Sequence, residues 1–463
     1  MFIKTNYMHV STTLLLVLLS CFNPLKASEW DEMVKVYKQI NPPSFPDKDY
    51  LITDFHNDDD SLYTKAINDA IIKCSRKGGG RVIIPDGEYL TGPIRLKSNV
   101  NLHLSDGAIL KFITDCSQFS VVLTRIEGID CYNISPLIYA YEEKNIAITG
   151  NGKIDGQADK SNWFSERRIS GVLQADGKRV NEKTLLYKMK EDSIPFKKRI
   201  FKGEDGMRPQ FINLYRCKNI LLEDFTINRS PFWLIHPLLS ENITVRRVKM
   251  QSHGHNNDGC DPESCRNVLI EDCDFDTGDD CIAIKSGRDE DGRFWNIPTE
   301  NVIVRNCRMK DGHAGVAIGS EVTGGCSNVW VEGCEMDSPQ LDRIIRIKSN
   351  AKRGGEVKNI YVRNITVGEC KKTILGFELK YWRVYDGPYP PYFHNIHLEN
   401  ITSKKSQFVL QLDGFNDKIQ ARDIYIKNCN FDGVTNSKIN EVIGVENIQF
   451  DNVKVNGKKF NKL

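Results

Sequence analysis

From residue 145 onward, short runs of alternating apolar and polar residues recur, each introduced by Asn followed by Ile or Val. The pairs are Asn145-Ile146, Asn219-Ile220, Asn242-Ile243, Asn267-Val268, Asn301-Val302, Asn328-Val329, Asn359-Ile360, Asn395-Ile396 and Asn447-Ile448, with Asp423-Ile424 as a variant. From Asn219 the steps between them are 23, 25, 34, 27, 31, 36, 28 and 24 residues. Alternation predicts strands with one face in and one face out, and strands at such a period predict a solenoid. The steps are too irregular for leucine-rich repeats and carry neither propeller signatures nor a helical period. The expected fold is therefore all-β, a right-handed parallel β-helix whose coils stack at about 4.8 Å. Loops of variable length leave the turns, and the repeated Asn forms a side-chain ladder at a bend.

Before residue 100 the pattern changes. Asp60-Ser61 offers a helix N-cap, and Tyr63, Ala66, Ile67, Ala70 and Ile71 follow at helical spacing until Gly78-Gly79-Gly80. An amphipathic helix here would cap the open end of the solenoid, whose strand edges otherwise invite aggregation. Residues 157–210 are a second break: strongly charged, without a ladder Asn, and carrying Trp163 and Phe164. They read as an excursion from one coil, either a solvated loop or a wall of a binding cleft.

Four strands end in a common serine: Asp258–Ser264, Asp280–Ser286, Ala314–Ser320 and Arg343–Ser349. Aligned on it, Pro262, Ile284, Ile318 and Ile347 face inward, as do Cys260, Ile282, Val316 and Ile345. Outward positions hold Glu263, Lys285, Gly319 and Lys348, then Asp261, Ala283, Ala317 and Arg346. Seven residues before each serine stand Asn257, Asp279, His313 and Asp342. This register stacks Asp258 over Asp280 and Asp279 over His313, with Arg346 and Lys348 one coil further on. Asp258 and Asp280 fall at an inward parity, so the chain is expected to bend there.

Aspartates at strand starts often only form turns. Three carboxylates, a histidine and two cations on one face are harder to explain that way. Stacked carboxylates cannot all ionise comfortably, so one is expected to keep a proton. One acid to protonate a leaving oxygen and one or two bases to activate water is what glycoside hydrolysis requires. Arg346 and Lys348 would bind an anionic sugar, Arg as a bidentate fork. The pattern points to a hydrolase of uronic-acid polymers, with no cofactor and no metal.

Composition narrows the classes without changing that reading. A formal charge of +2 and the absence of like-charge blocks argue against a nucleic-acid partner. Hydrophobic residues at 40% and charged ones at 27% are ordinary for a globular chain. Val10–Phe22 is an apolar run too short to span a bilayer but suited to a signal peptide, with a cut after Ala27. A rival cut before Cys21, in Leu18-Leu19-Ser20-Cys21, resembles a lipoprotein box and would put a lipid anchor on Cys21. Either way export is expected, to the periplasm, the medium or the outer membrane. The expected parts are a signal peptide over 1–27, a lead segment over 28–50, and a catalytic β-helix over 51–463 with its insert at 157–210. The thirteen cysteines besides Cys21 lack metal spacing and recur beside strands, which predicts interior packing.

The same motifs resemble the polygalacturonases of glycoside hydrolase family 28, over nearly all of residues 50–460. Asn256-Asn257-Asp258 stands where the family has Asn-x-Asp, and Gly278-Asp279-Asp280 matches its Asp-Asp motif. Gly312-His313 matches Gly-His-Gly, and Arg346-Ile347-Lys348 matches Arg-Ile-Lys. Gly78-Gly79-Gly80, Thr91-Gly92-Pro93 and Ser230-Pro231-Phe232-Trp233 are similar to the bacterial, exo-acting branch. The resemblance implies hydrolysis of α-1,4-galacturonosidic bonds in pectic polysaccharide or oligogalacturonides, with inversion. It implies Asp279 as general acid, Asp258 and Asp280 as the groups that activate water, and His313 tuning the acid. Arg346, Lys348, Asn256 and Tyr381 would then bind substrate. Two departures stand out: Ala314 where the family has Gly, and His255 where many bacterial relatives carry Pro. The alternatives are a rhamnogalacturonan or branched-pectin hydrolase of the same family, a calcium-dependent pectate lyase, and a non-catalytic β-helix that binds glycans.

Overall fold

The computed structural model describes Met1, residues 28–173 and residues 177–462. The leader cut and Cys21 lie outside the described residues. Alternation in the sequence becomes strands that pair almost entirely in parallel, each with its counterpart one coil away. Ile146, Ile220, Ile243, Val268, Val302, Val329, Ile360, Ile396, Ile424 and Ile448 form one continuous register column, each the residue after a ladder position. A right-handed parallel β-helix results. One long sheet of 24 strands is faced by a four-stranded stretch and a six-stranded stretch, joined through single bridges at Cys260 and Glu263. Inward residues from both faces merge into one elongated core.

The ladder exists and begins one coil earlier than the sequence pattern, at Asn99. Each Asn donates its amide to the oxygen of the one before, from Asn145 to Asn99 at 3.0 Å through Asn395 to Asn359 at 2.7 Å. Every member sits at a positive φ, such as 59° at Asn267. Asn tolerates this left-handed conformation better than other side chains, which explains its repetition at the bend.

Helix α1 (Glu29–Gln39) was not foreseen in the lead segment. Ser28 caps it with a capping box, and its Met33 and Val36, followed by Ile40, pack on Leu269, Ile303, Trp330 and Tyr361 outside the long sheet. Helix α2 (Thr64–Arg76) buries Ala66, Ile67, Ala70 and Ile71 over the first coils, as the spacing predicted. Its start does not match: Tyr63 holds the N-cap position with no side-chain bond, so Asp60 and Ser61 lie ahead of the helix. Gly79 ends it at φ 103°, where a Cβ would lie 2.5 Å from the Asn99 carbonyl. The thirteen cysteines are all buried and unpaired. Several donate their thiol to the carbonyl two residues back, as Cys273 does to Glu271 at 3.3 Å.

Candidate active site

The serine alignment is the observed register. Ile284 pairs with Ile318 and Ile318 with Ile347, while Glu263 bridges to Lys285. Asp258 and Asp280 escape their inward parity because strand pairing resumes only at Cys260 and Ile282, and each aspartate stands in irregular chain two residues ahead of it. The bend rests on glycine: Gly312 has φ 147°, and a Cβ there would meet the Asp279 carbonyl at 2.5 Å. Ala314, two positions on, is not among the left-handed residues. It packs with Ala283 and Ala317, so the departure from Gly costs no strain.

One oxygen from each of Asp258, Asp279 and Asp280 lies within 4.8 Å of the other two. Asp258 and Asp279 line a cavity of about 440 Å³ together with His313, Arg346, Lys348 and Tyr381, whereas Asp280 is fully buried and stands behind that lining. Asp279 is the most open of the three, its side chain 18% exposed against 5% for Asp258 and none for Asp280. His313 Nδ1 stands 2.9 Å from Asp279 Oδ1, and the Asp280 amide donates to the same oxygen. Lys348 Nζ binds Asp280 Oδ2 at 2.6 Å, and Arg346 lies 3.6 Å from its other oxygen. Arg346 also forms a two-point pair with Glu378 at 2.9 and 3.1 Å. Tyr381 presents its ring 5.5 Å from Lys348 Nζ.

The protons are not distributed as stacking alone suggested. Burial would raise Asp279, but His313, Lys348 and the Asp280 amide overcome it and hold the carboxyl well below its usual range. His313 rises in turn, chiefly through its hydrogen bond to Asp279. The carboxyl pushed well up is Asp258, by burial first and then by the charges of Asp261 and Asp279. Asp261 is raised too, by burial, with Lys285 opposing. The expected retained proton therefore sits on the Asp258–Asp261 side.

Not every aligned residue serves the cavity. Asn257 is buried, its amide donating to the Ser230 and Phe232 carbonyls, so it holds a turn and leaves the column. Asn256 reaches the cavity with Arg208 on its side-chain oxygen at 2.8 Å, and His255 lines the same wall. Arg208, between the Phe164 and Phe232 rings, also binds the His255 carbonyl at 2.6 Å and so fixes this turn.

Several lining residues stand outside the sequence motifs. Lys285 had its outward position in the alignment; it stands 3.4 Å from Glu321, 3.7 Å from Asp261, 3.8 Å from Asp258 and 4.4 Å from the Trp233 ring centre. Those carboxylates keep it charged despite burial. Glu127 gave no signal at all. It lies at the tip of a hairpin, Val121–Ile126 and Ile129–Ile134, and binds Lys183 at 2.9 Å, Arg288 at 3.3 Å and the Tyr187 hydroxyl. Lys183 and Tyr187 belong to the 157–210 excursion, which thus borders the cavity.

The three aspartates have the spacing to hold a cation. Lys348, Arg346 and Lys285, each within 4 Å of one of them, already supply positive charge. A second grouping among the described residues, His253 with Asp276 and Asp311, lies outside the cavity lining.

Comparison with known proteins settles the lineage. The sequence profile described as glycosyl hydrolases family 28 matches residues 74–455. The chain belongs to this family. Among solved structures, the family 28 chain is similar to a hyperthermoactive exopolygalacturonase from Thermotoga maritima. That likeness has 35% identity and a TM-score of 0.86, covering 93% of this chain and 97% of the other. It is 32% identical over 326 residues to a probable polygalacturonase of Vitis vinifera, covering 68% of this chain and 59% of that one. An exo-poly-alpha-D-galacturonosidase of Dickeya chrysanthemi is 26% identical, covering 86% of this chain and 69% of its own. No helix among the described residues is long and apolar enough to cross a membrane.

Proposed function

We propose that this family 28 protein is an exported, exo-acting polygalacturonase that hydrolyses α-1,4-galacturonosidic bonds with inversion. The observation that carries the reading is the convergence of Asp258, Asp279 and His313 with Arg346 and Lys348 in one cavity, with Asp280 buried behind it on Lys348. Arg346, Lys348 and Tyr381 form the seat for a galacturonate: cations for the carboxylate, a ring for the sugar face. Asp279, the most open carboxyl, donates to the leaving oxygen. Its own affinity for a proton is low in the free site, so the proton arrives through His313, which carries it at mildly acidic pH. Asp258 Oδ1 and Asp280 Oδ1 are buried without a hydrogen-bond partner and supply the acceptors that a nucleophilic water needs. Their separation from Asp279 is shorter than the roughly 6.5–9.5 Å usual for inverting pairs, so inversion rests on the family resemblance.

A second reading follows from the proton distribution: Asp258, whose neutral form burial favours, could be the donor, with Asp279 as base. An aryl galacturonide with a good leaving group separates them. Loss of the acid costs little on such a substrate, whereas loss of the base remains severe. Asp279→Asn sparing the aryl substrate and Asp258→Asn abolishing it supports the first assignment; the reverse supports the second.

Exo action is supported by the Glu127, Lys183, Tyr187 and Arg288 contacts, which wall off one side of the cavity. A product time course on de-esterified polygalacturonate tests it. Galacturonate monomer from the outset, unaffected by chelator, is the expected result. Mixed oligomers would overturn the exo reading, and unsaturated products lost with chelator would make the protein a lyase.

A further inference from the structure

A second cavity of about 540 Å³ adjoins the catalytic one, and Trp382 is the residue common to both. Its volume falls within the roughly 300–1,000 Å³ of small-molecule sites. The divider is a stack: Arg288 lies 4.2 Å from the Tyr187 ring centre and 4.6 Å from that of Trp382, with Glu127 on its guanidinium. Resting on the galacturonan reading above, we propose that this second cavity binds a neutral sugar carried as a side branch by the galacturonan chain.

The catalytic groups lie on successive coils, so a polymer that meets them runs from coil to coil. The second cavity is built instead from the loops that follow three strands of one sheet, Ile282–Ile284, Arg343–Lys348 and Thr373–Glu378, closed by Tyr187 and Lys190 of the excursion. These loops place Asp289, Arg353 and Trp382 to one side of that path. A branch leaving the sugar over Tyr381 enters beside Trp382, which follows directly and stacks on Tyr381 with centres 5.8 Å apart.

Charge then selects the occupant. In the catalytic cavity Lys348, Arg346, Arg343 and Lys372 concentrate positive charge, as a uronate needs. In the second cavity the buried charges are matched, Lys190 with Asp289 at 2.7 Å and Arg353 with Asp289 at 3.6 Å, and Lys190 also reaches the exposed Glu290 at 3.3 Å. Asp289 Oδ1 is buried and accepts no hydrogen bond, which leaves an acceptor for a sugar hydroxyl. Two half-exposed rings, Trp382 at 51% and Tyr389 at 43%, give the apolar face of a pyranose somewhere to stack.

The test compares plain oligogalacturonides with oligogalacturonides bearing single xylosyl branches, using Tyr389→Ala to remove a ring and Val384→Trp to fill the space. Neither residue lines the catalytic cavity. Wild type is expected to favour the branched oligomer by about tenfold in kcat/KM, the scale of one ring–sugar stack. Val384→Trp should abolish the preference and Tyr389→Ala weaken it, with the plain substrate unchanged in both. Equal rates on the two substrates in wild type would overturn the proposal, as would equal losses on both in the variants. Calorimetry of the same oligomers on an Asp280→Asn background reads binding without turnover. If neither oligomer is cleaved, the galacturonan reading fails, and the branched-over-plain difference in binding still decides the cavity.

Discussion

At the residue scale, the His313–Asp279 pair is expected to govern the pH response of the proposed reaction. His313 is raised above its ordinary value by Asp279, and Asp279 is held low by His313 after burial is overcome. The charged pair is therefore intact between the depressed Asp279 value and the raised His313 value, and it is lost as pH climbs through the latter. The alkaline limb of kcat/KM should lie above about 6.5, the ordinary histidine value. His313→Ala should move it to lower pH and cut kcat by about a hundredfold or more, as loss of proton-transfer support does. An alkaline limb unmoved in the variant would remove His313 from the proton path. Asp258, His313 and Arg346 were legible because a two-residue period and a shared serine fix their register. Glu127 was not, since its place depends on a hairpin folding back across coils more than a hundred residues later. Asn257 shows the opposite failure: its spacing matched the column, but its amide goes to two carbonyls.

At the element scale, the Asn ladder and the capping helices show what patterning does and does not specify. Asn267 donates to Asn242, accepts from Asn301 and holds φ at 59°. Replacing it by Ala removes two hydrogen bonds and imposes a left-handed Cβ, a loss of about 2–3 kcal/mol. Asn267→Gly should cost less because the conformation is then free. Urea denaturation of the two variants checks the order, and equal losses would show that φ is not the constraint. Helix α2 could be read from its apolar spacing, whereas its cap could not, because the chain enters it through a Tyr63 amide bonded to the Leu90 carbonyl. Helix α1 was hidden for another reason. Its partners Leu269, Ile303, Trp330 and Tyr361 lie on the outward face of their strands, where alternation leads one to expect solvent.

At the scale of the whole molecule, stability comes from coil-on-coil stacking, with no disulfide among the described residues. The melting temperature should therefore be the same with and without a thiol reductant; a clear drop under reduction would reveal a pairing absent here. The 157–210 excursion is tied in too firmly to be removed cleanly, since Trp163 is 1% exposed and Arg208 fixes the Asn256 turn. Deleting it should compromise folding. Lys183→Ala with Tyr187→Ala is the gentler way to open the walled side, and longer products from polygalacturonate are then expected. An unchanged product pattern would mean that these two side chains do not set the exo mode.

Helix α1 also imposes an order in time. Leu269, Ile303, Trp330 and Tyr361 form one column on four successive coils. Three strand spacings come to about 14 Å, close to the roughly 16 Å that eleven helical residues span. The helix thus lies as a clasp along coils that carry the catalytic groups, with the Trp330 indole bonded to the Glu29 carbonyl 301 positions away. Synthesis delivers this clasp long before its seat, which is complete only once Tyr361 has arrived. The helix must therefore wait about 320 residues for a seat whose last member is Tyr361.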